Sequence, residues 1–485
     1  MTTKSTLALL IGIAAGCSPK PAPTAAVTPA LIQINANPKD KVDLLFMVDN
    51  SPSMDSMQSG LRAAFFEFFK PFGDLAARGK FVNFHIGVVT SDYGAGATGA
   101  PGCDPSPGGQ RGLLQTLGRA AQSDCVPPVA ARFIEYSTAP GGSTNVPVSQ
   151  GLAATFTCMA SVGAQGCGFE HQLESVFAAL HNNDENAGFL RPDAALAVAF
   201  LTNEDDASAP PTTDVFDKNQ TNLYGYQDSY SRQTRFAVQC CPPGAAACKE
   251  GQLEFPPYGD SLGGLAGCRA APNPPGRQFA IDRYVDYFAL PRARGGVKVN
   301  PLDVLLYAID GPENPFQAIL SNPGVPAGTP YNECAQLDEM SNPPCVPVLQ
   351  HSCVGADPRF FGDPAVRLNT VVRSVAQHRI WSICDSDYLG AMRDLAGRVV
   401  GQLGGGCLPD DAFAKVTPEA VDCQVTDVAG DVDGAIQTIG RCEAGGTPCW
   451  RLAAREGCSG LALTIDRNGA PAPTGSYVSA GCRVR

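Results

Sequence analysis

One apolar segment of this chain is followed by a carboxylate and two hydroxyl groups at alternate positions. Six of the seven residues at 42–48 are apolar, which predicts a strand buried on both faces of a parallel sheet. Asp49, Ser51 and Ser53 come directly after it. Ligands of parallel sheets bind outside the carboxyl ends of the strands. All three side chains offer oxygen rather than nitrogen or sulfur, so the pattern predicts a site for a hard divalent cation.

The segment Asp49-Asn50-Ser51-Pro52-Ser53 resembles the DxSxS motif of von Willebrand factor type A domains. The resemblance implies a metal-ion-dependent adhesion site in which Asp49, Ser51 and Ser53 hold Mg²⁺, or else Ca²⁺ or Mn²⁺. It also implies an α/β fold with a doubly wound, mostly parallel sheet that carries helices on both faces. A second interpretation is a helix-capping turn, because Ser53 can cap the helix that follows.

The same resemblance implies further ligands from two later loops. Another buried strand ends in Asn203-Glu204-Asp205-Asp206, where the family usually places an aspartate first. Asn203 can still offer a neutral amide oxygen, and Asp205 or Glu204 is the alternative ligand. The loop that would supply the family's threonine contains none, and Glu170 is its strong oxygen donor. The predicted metal ligands are therefore Asp49, Ser51, Ser53, Glu170, Asn203 and Asp205.

Strand-like and helix-like segments alternate between residues 41 and 404, as in an α/β sheet with crossover helices. Two stretches, at about 207–276 and 320–361, break the alternation and are rich in Pro, Gly and Cys. We expect both to be disulfide-stapled insertions at the rim of the sheet, with disordered surface loops as the alternative for their tips. The predicted strands are 42–48, 81–90, 131–137, 194–202, 304–309 and 379–384, and the predicted helices are 57–75, 169–181, 278–288, 364–377 and 388–402.

The amino-terminal segment has the pattern of a signal peptide. Lys4 precedes a short apolar stretch at 7–15, and Gly16 and Cys17 follow it. A small residue before a cysteine resembles the bacterial lipobox, which implies lipid attachment at Cys17 and a protein anchored in the cell envelope. Resemblance to lipoprotein sorting rules implies that the anchor lies in the outer membrane. Ordinary cleavage near this position is the alternative. Residues 1–17 are thus a predicted signal peptide, and 18–40 a Pro/Ala-rich tether.

Cysteine usage indicates an oxidising compartment. The chain has 19 cysteines, and 18 remain once Cys17 is assigned to the anchor. An even number in that abundance predicts disulfides. Six of them fall within 405–485, which predicts a small disulfide-rich β module. Zinc ligation is the rival interpretation, but this segment has neither CxxC pairs nor histidine.

Charge and composition restrict the partners. The net charge of −12 argues against nucleic acid and against adsorption of the folded surface to anionic lipid. We therefore predict a non-enzymatic cell-envelope lipoprotein that touches the membrane only through its lipid anchor. Its expected partner is a protein ligand that offers an Asp or Glu carboxylate to the bound metal. Two alternatives are a metal-free scaffold of the envelope and a metal-assisted hydrolase that uses Asp49 and the acidic residues 204–206.

Overall fold

The structure is a computed structural model. It describes residues 32–35, 39–217 apart from 101 and 182, 236–253 apart from 243 and 246, 263–272, 277–322, 333–340 apart from 337 and 339, 345–404 apart from 386, 406, 408, 413, 416–428, 436–454, 461–470 and 477–484. The predicted signal peptide, the predicted lipidation site Cys17 and most of the predicted tether lie outside the described residues. Within these ranges no helix is both long enough and apolar enough to cross a membrane.

The principal sheet has six strands. In spatial order 14-9-5-2-3-4, every neighbouring pair is parallel except the last, in which strands 3 and 4 are antiparallel. The central strands are almost wholly buried, as expected for apolar strands covered on both faces. The bounds are β2 (Lys41–Val48), β3 (Asn83–Thr90), β4 (Ile134–Ser137), β5 (Ala195–Leu201), β9 (Val304–Asp310) and β14 (Gln377–Ser382).

Helices pack against this sheet from two sides. The helices are α1 (Asp55–Ala77), α2 (Leu152–Ala160), α3 (Gln172–Leu180), α4 (Asp282–Ala289), α5 (Val366–Arg373) and α6 (Tyr388–Gly404). Leu44 and Phe46 of β2 share one hydrophobic cluster with α1, α2 and α6. Leu45 and Met47 share another with α3, α4 and α5. Neighbouring residues of a strand point to opposite faces, so a continuous apolar strand supplies both clusters.

The predicted elements all exist, with shifted ends. The helix predicted at 364–377 covers only Val366–Arg373, because the chain turns into β14 at Gln377. Helix α2 has no counterpart among the predictions, since its nine residues are too short and too uniformly apolar for a helical period to stand out. A mixed sheet with helices and many disulfides is therefore confirmed.

One strand from each predicted insertion pairs with a strand that begins just before the second insertion. Strand β10 (Phe316–Ser321) lies between β7 (Gly263–Leu265) and β11 (Val346–Leu349) in one small antiparallel sheet. Four disulfides hold these segments: Cys240–Cys268, Cys241–Cys248, Cys334–Cys345 and Cys353–Cys384. The remaining short strands are β6 (Val238–Gln239), β8 (Arg269–Ala270), β12 (Cys353–Val354) and β13 (Phe361–Gly362).

A second six-stranded sheet, ordered 1-19-15-16-17-18, contains both ends of the described chain. Its first strand comes from the segment predicted as a tether and pairs antiparallel with the last strand. Cys423–Cys482 and Cys442–Cys449 cross-link it, and with Cys103–Cys167 and Cys125–Cys158 the described residues hold eight disulfides. The prediction of a disulfide-bonded protein is confirmed. The bounds are β1 (Ile32–Asn35), β15 (Val421–Val428), β16 (Ile436–Arg441), β17 (Cys449–Ala454), β18 (Leu461–Asp466) and β19 (Tyr477–Val484).

Candidate functional site

Three adjacent parallel strands bring Asp49, Ser91 and Thr202 together. Asp49 follows β2, Ser91 follows β3 and Thr202 follows β5. The fully buried Asp49 carboxylate accepts hydrogen bonds at Oδ1 from the Ser91 hydroxyl (2.8 Å) and the Ser51 backbone N–H (2.8 Å). Its Oδ2 accepts one from the Thr202 hydroxyl at 2.7 Å. Burial raises the pKa of Asp49, while these donors lower it, and together they fix the orientation of the carboxylate.

The two serine hydroxyls and Asn203 form a row of oxygen atoms beside Asp49. Ser51 Oγ lies 2.9 Å from Ser53 Oγ, and the Ser53 hydroxyl donates to Asn203 Oδ1 at 3.0 Å. Ligands about 2.1 Å from an octahedral Mg²⁺ lie about 3.0 Å from each other along an edge of the octahedron. The observed spacing therefore suits both a hydrogen-bonded row and the ligand shell of a small cation. The structure thus brings Ser51, Ser53 and Asn203 together, and their role as metal ligands stays a prediction.

A group of carboxyl groups lies next to this row. Glu170, nearly fully buried, hydrogen-bonds to the half-buried Glu204 through its side chain. Burial, together with the negative charges of Asp49 and Asp363, raises the pKa of Glu170 well above its usual value. Burial and the same neighbours, with Glu170, also raise the pKa of Glu204. We call Asp49, Glu170, Glu204 and Asp363, with the row of Ser51, Ser53 and Asn203, the acidic cup.

Few positive charges oppose the acidic cup. Within the described residues no Lys or Arg forms an ion pair with Asp49, Glu170 or Glu204. Asp363 pairs with His351, whose Nδ1 lies 2.6 Å from Asp363 Oδ1. Among the described residues, the buried Glu170 Oε2 has no hydrogen-bond partner. A buried, uncompensated carboxylate is costly unless a proton or a cation neutralises it.

The loop that carries Glu170 packs tightly against the first motif. Gly166 donates its backbone N–H to the Asn50 carbonyl at 2.7 Å. A Cβ at Gly166 would lie 2.3 Å from Asn50 Oδ1, so only glycine fits there without a shift. The Cys103–Cys167 disulfide ties the same loop to the segment after β3. Glu170 is thereby held beside Asp49 although 121 residues separate them in the sequence.

Asp205 occupies a different place from the other predicted ligands. Its Oδ2 accepts the backbone N–H groups of Val366 and Arg367 at 3.0 and 2.9 Å, and its Oδ1 accepts that of Leu368 at 2.9 Å. These are the free N–H groups of the first turn of α5, so Asp205 caps that helix. Burial raises the pKa of Asp205 to about 7, although the backbone donors and Arg367 lower it. This geometry favours a capping role over metal ligation.

Sequence reasoning missed three residues of the site. Ser91 and Thr202 are each the first polar residue after a buried strand end, a signal that the sequence contains. Asp363 has no such signal, because it follows the β12–β13 hairpin of the second insertion and reaches the site by donating its N–H to the Asn203 carbonyl at 2.8 Å. The hydroxyls of Ser51 and Ser53 contact each other and Asn203 rather than a histidine or carboxylate base.

The donor set suits a hard cation in part. Its atoms are hydroxyl, amide and carboxyl oxygens, which Mg²⁺ and Ca²⁺ prefer, and the unpartnered Glu170 Oε2 adds another. Within the part of the chain that the structure describes, however, no group of three or more His, Cys, Asp or Glu side chains could hold a metal ion. The oxygen atoms that lie closest together are therefore two hydroxyls and one amide oxygen, those of Ser51, Ser53 and Asn203. The Asp49 carboxylate already accepts three hydrogen bonds within the protein.

Comparison with known proteins gives only distant similarities. No family model matches the chain, and no curated protein matches it. Among solved structures it is similar to the pilus adhesin SpaC from Lactobacillus rhamnosus GG, with 9% identity over 94% of this chain and 42% of that one, at a TM-score of 0.29. The adhesive tip pilin GBS104 from Group B Streptococcus agalactiae has 10% identity over 93% and 82% of the two chains at 0.26, and the pilus adhesin RrgA from Streptococcus pneumoniae has 10% over 94% and 58% at 0.26. The chain spans about two fifths of SpaC.

The predicted membership of the von Willebrand factor type A family is wrong. No family model supports it, and the similar solved structures are Gram-positive pilus adhesins. The motif behind the prediction covers five residues, which define a turn and a set of oxygen atoms at a strand end. Such a short pattern carries chemistry but does not establish descent.

Proposed function

We propose that this chain is an exported binding protein whose acidic cup holds a divalent cation, and that a partner's carboxylate completes the shell of that cation. Asp49, Ser51, Ser53 and Asn203 would hold the ion, with Glu170 or Glu204 as a further donor. The ion would supply a positive charge, with an open coordination position, at an otherwise negative surface.

The observation that carries this proposal is a group of carboxyl groups that has no Lys or Arg partner among the described residues and lies beside a row of oxygen atoms. Asp49 and Glu170 are both buried, and the charged groups that act on Glu170 are other carboxylates, those of Asp49 and Asp363. Ser51 Oγ, Ser53 Oγ and Asn203 Oδ1 follow one another at 2.9 and 3.0 Å. A divalent cation would neutralise the carboxylates and use that spacing at the same time.

The chain's own residues explain how an ion would be presented to a partner. Thr202 and Ser91 orient Asp49, so the carboxylate is already positioned before any ligand arrives. Asn203 contributes a neutral oxygen where a carboxylate would add a negative charge. An amide oxygen at this position therefore leaves more of the cation's charge uncompensated than an aspartate would, which favours an incoming carboxylate.

The proposal includes a doubly wound sheet, export from the cytoplasm and a lipid anchor. A doubly wound arrangement is supported by the two separate hydrophobic clusters on β2, which face different sets of helices. Export is supported by eight disulfides among the described residues. A lipid anchor at Cys17, in the bacterial envelope and at the outer membrane, rests on the lipobox resemblance alone. A general role in adhesion is in keeping with these features.

A metal-free binding scaffold is the second candidate. It is favoured by the three hydrogen bonds that Asp49 accepts within the protein, which satisfy the carboxylate without an ion. In this case the stapled insertions would form the binding surface, and a shared proton would neutralise Glu170 and Glu204. The hydrolase hypothesis stays a prediction.

Calorimetry on the full oxidised chain distinguishes the two candidates. The wild type and Asp49→Ala are titrated separately with Mg²⁺, Mn²⁺ and Ca²⁺ after treatment with EDTA. We expect the wild type to bind one of these ions at the cup and Asp49→Ala to lose that binding. Asp427→Ala is the matched control, because this carboxylate pairs with Arg467 in the second sheet. Ion binding that Asp49→Ala leaves unchanged, or no binding by the wild type, would refute the proposal and favour the metal-free scaffold.

A further inference from the structure

A second group of polar atoms without partners lies between β9 and α5. Asp310 ends β9 and is fully buried, and neither of its carboxylate oxygens has a hydrogen-bond partner among the described residues. Asn369 of α5 is 1% exposed, and its amide nitrogen and oxygen are likewise without partners. Burial raises the pKa of Asp310 well above its usual value, and the Asn369 amide, which faces the carboxyl group as a hydrogen-bond donor, lowers it. Buried polar atoms are rarely left unpaired, so this group requires a ligand, an ion or a water molecule.

The charges around Asp310 do not balance. Asp205, Asp206 and Asp310 are buried, and the buried guanidinium of Arg367 pairs with Asp206 at 3.2 Å. The hydrogen bonds from the first turn of α5 satisfy Asp205. Asp310 has no backbone donors of this kind among the described residues. Burial and the charges of Asp205 and Glu313 oppose its ionised form, whereas the Asn369 amide and the charge of Arg373 favour it. An unpaired carboxylate in a protein interior is destabilising unless a proton or a cation neutralises it.

We propose that Asp310 and Asn369 bind a hard cation, which is separate from the ion of the acidic cup. Both oxygens of Asp310 and the amide oxygen of Asn369 are available as ligands. The side chains at 306 and 308 pack among the α5 residues on the same face of β9, and strand alternation directs Asp310 to that face as well. The cation therefore lies under α5 and not at the open end of the sheet, where it would stabilise the fold rather than contact a partner.

Calcium is the ion to test first. The available side chains offer only oxygen, and just two residues supply them without other commitments. Ca²⁺ accepts irregular shells of 6–8 oxygens that include backbone carbonyls and waters, whereas Mg²⁺ requires near-octahedral geometry. A site with few side-chain ligands at the junction of a strand and a helix is better suited to the larger ion.

The test measures thermal unfolding of the full oxidised chain in EDTA-treated choline chloride buffer while CaCl₂ is titrated. Asp49→Ala is the starting variant, because it removes a central ligand of the acidic cup. We expect this variant to keep a saturable rise of its unfolding midpoint with calcium. Adding Asp310→Asn should weaken the apparent calcium affinity at least about tenfold, since an amide replaces the only anionic ligand. Adding Asp427→Asn, the matched control, should leave it unchanged.

A second variant and a second measurement guard against poor folding. Asn369→Ala removes the amide and keeps Asp310, and equilibrium dialysis with radioactive calcium counts the ions bound per chain. We expect one ion fewer in each of the Asp310→Asn and Asn369→Ala variants than in their parent. The inference is overturned if Asp49→Ala shows no calcium response, or if Asp310→Asn retains the full response; Asp310 would then be neutralised by a proton. Because Asp49→Ala is the parent, the second site can prove absent while the proposed function stands, and it can prove present while the proposed function fails.

Discussion

The orientation of Asp49 depends on one hydroxyl group that can be removed without changing the shape of the side chain. Thr202 Oγ1 donates to Asp49 Oδ2 at 2.7 Å and accepts from Gln172 Nε2 at 3.1 Å. All three residues are fully buried. Thr202→Val therefore leaves a buried acceptor and a buried donor without this partner, and we expect it to weaken both ion binding and folding.

The expected magnitudes follow from the two broken hydrogen bonds. A buried polar group left unsatisfied costs about 1–3 kcal/mol of unfolding free energy. Removing a group that orients a metal ligand typically weakens metal affinity about 10- to 100-fold, or about 1.4–2.7 kcal/mol. We therefore expect Thr202→Val to lower Mg²⁺ affinity by that factor, while Asp49, Ser51, Ser53 and Asn203 remain in place.

Calorimetry measures the affinity, and urea denaturation with the disulfides intact measures the stability. Thr155→Val is the matched control, because Thr155 is equally buried and its hydroxyl also makes two hydrogen bonds, donating to the Gly151 carbonyl (2.8 Å) and accepting from Gln150 (3.0 Å). It lies in α2, and neither of these two hydrogen bonds involves Asp49. Should Thr202→Val and Thr155→Val bind Mg²⁺ equally well, Thr202 does not position a metal ligand and the reasoning fails.

Two further substitutions probe the residues around the site. Gly166→Ala should displace the loop that carries Glu170, because its Cβ would lie 2.3 Å from Asn50 Oδ1; we expect it to cost about 1–3 kcal/mol of stability and to weaken ion binding. Gly168→Ala, whose Cβ has nothing within 4 Å, is the control in denaturation and calorimetry. Equal effects of the two substitutions would contradict the packing argument. Asp205→Asn should leave Mg²⁺ affinity unchanged and cost about 1–3 kcal/mol, because both carboxylate oxygens accept backbone N–H groups and the amide nitrogen cannot. The raised pKa of Asp205, about 7 against 3.8, means that the folded state holds this proton more tightly than the unfolded chain. Wild-type stability should therefore fall as pH rises from about 4 to about 7, and thermal midpoints of Asp205→Asn should lack that part of the fall; parallel pH profiles would show that Asp205 does not contribute.

The local pattern of the sequence was sufficient for the strands and for the first half of the site. A run such as 42–48 can be buried on both faces only in the middle of a sheet, and its polar successors Asp49, Ser51 and Ser53 must then emerge at the strand end. The same rule, applied to β3 and β5, points to Ser91 and Thr202. Family membership could not be read from so short a motif, and that prediction was wrong.

The second half of the site depends on contacts between distant segments. Asp205 is a helix cap rather than an obvious ligand because the first turn of α5, more than 160 residues later, lies against it. Asp363 reaches the cup after the β12–β13 hairpin, through its N–H bond to Asn203. Glu170 is held there by the fit of Gly166 against Asn50 and by the Cys103–Cys167 disulfide. None of these approaches leaves a periodic trace in the sequence.

By itself the sequence determined which residue types follow each buried strand, since burial restricts strand composition and alternation sets which side chains face each layer. The tertiary structure alone decided which of the acidic residues converge without a counter-charge and which are satisfied by helix N–H groups. Charge compensation depends on distances of a few ångströms between segments that lie far apart in the chain, and those distances are set by packing rather than by local order.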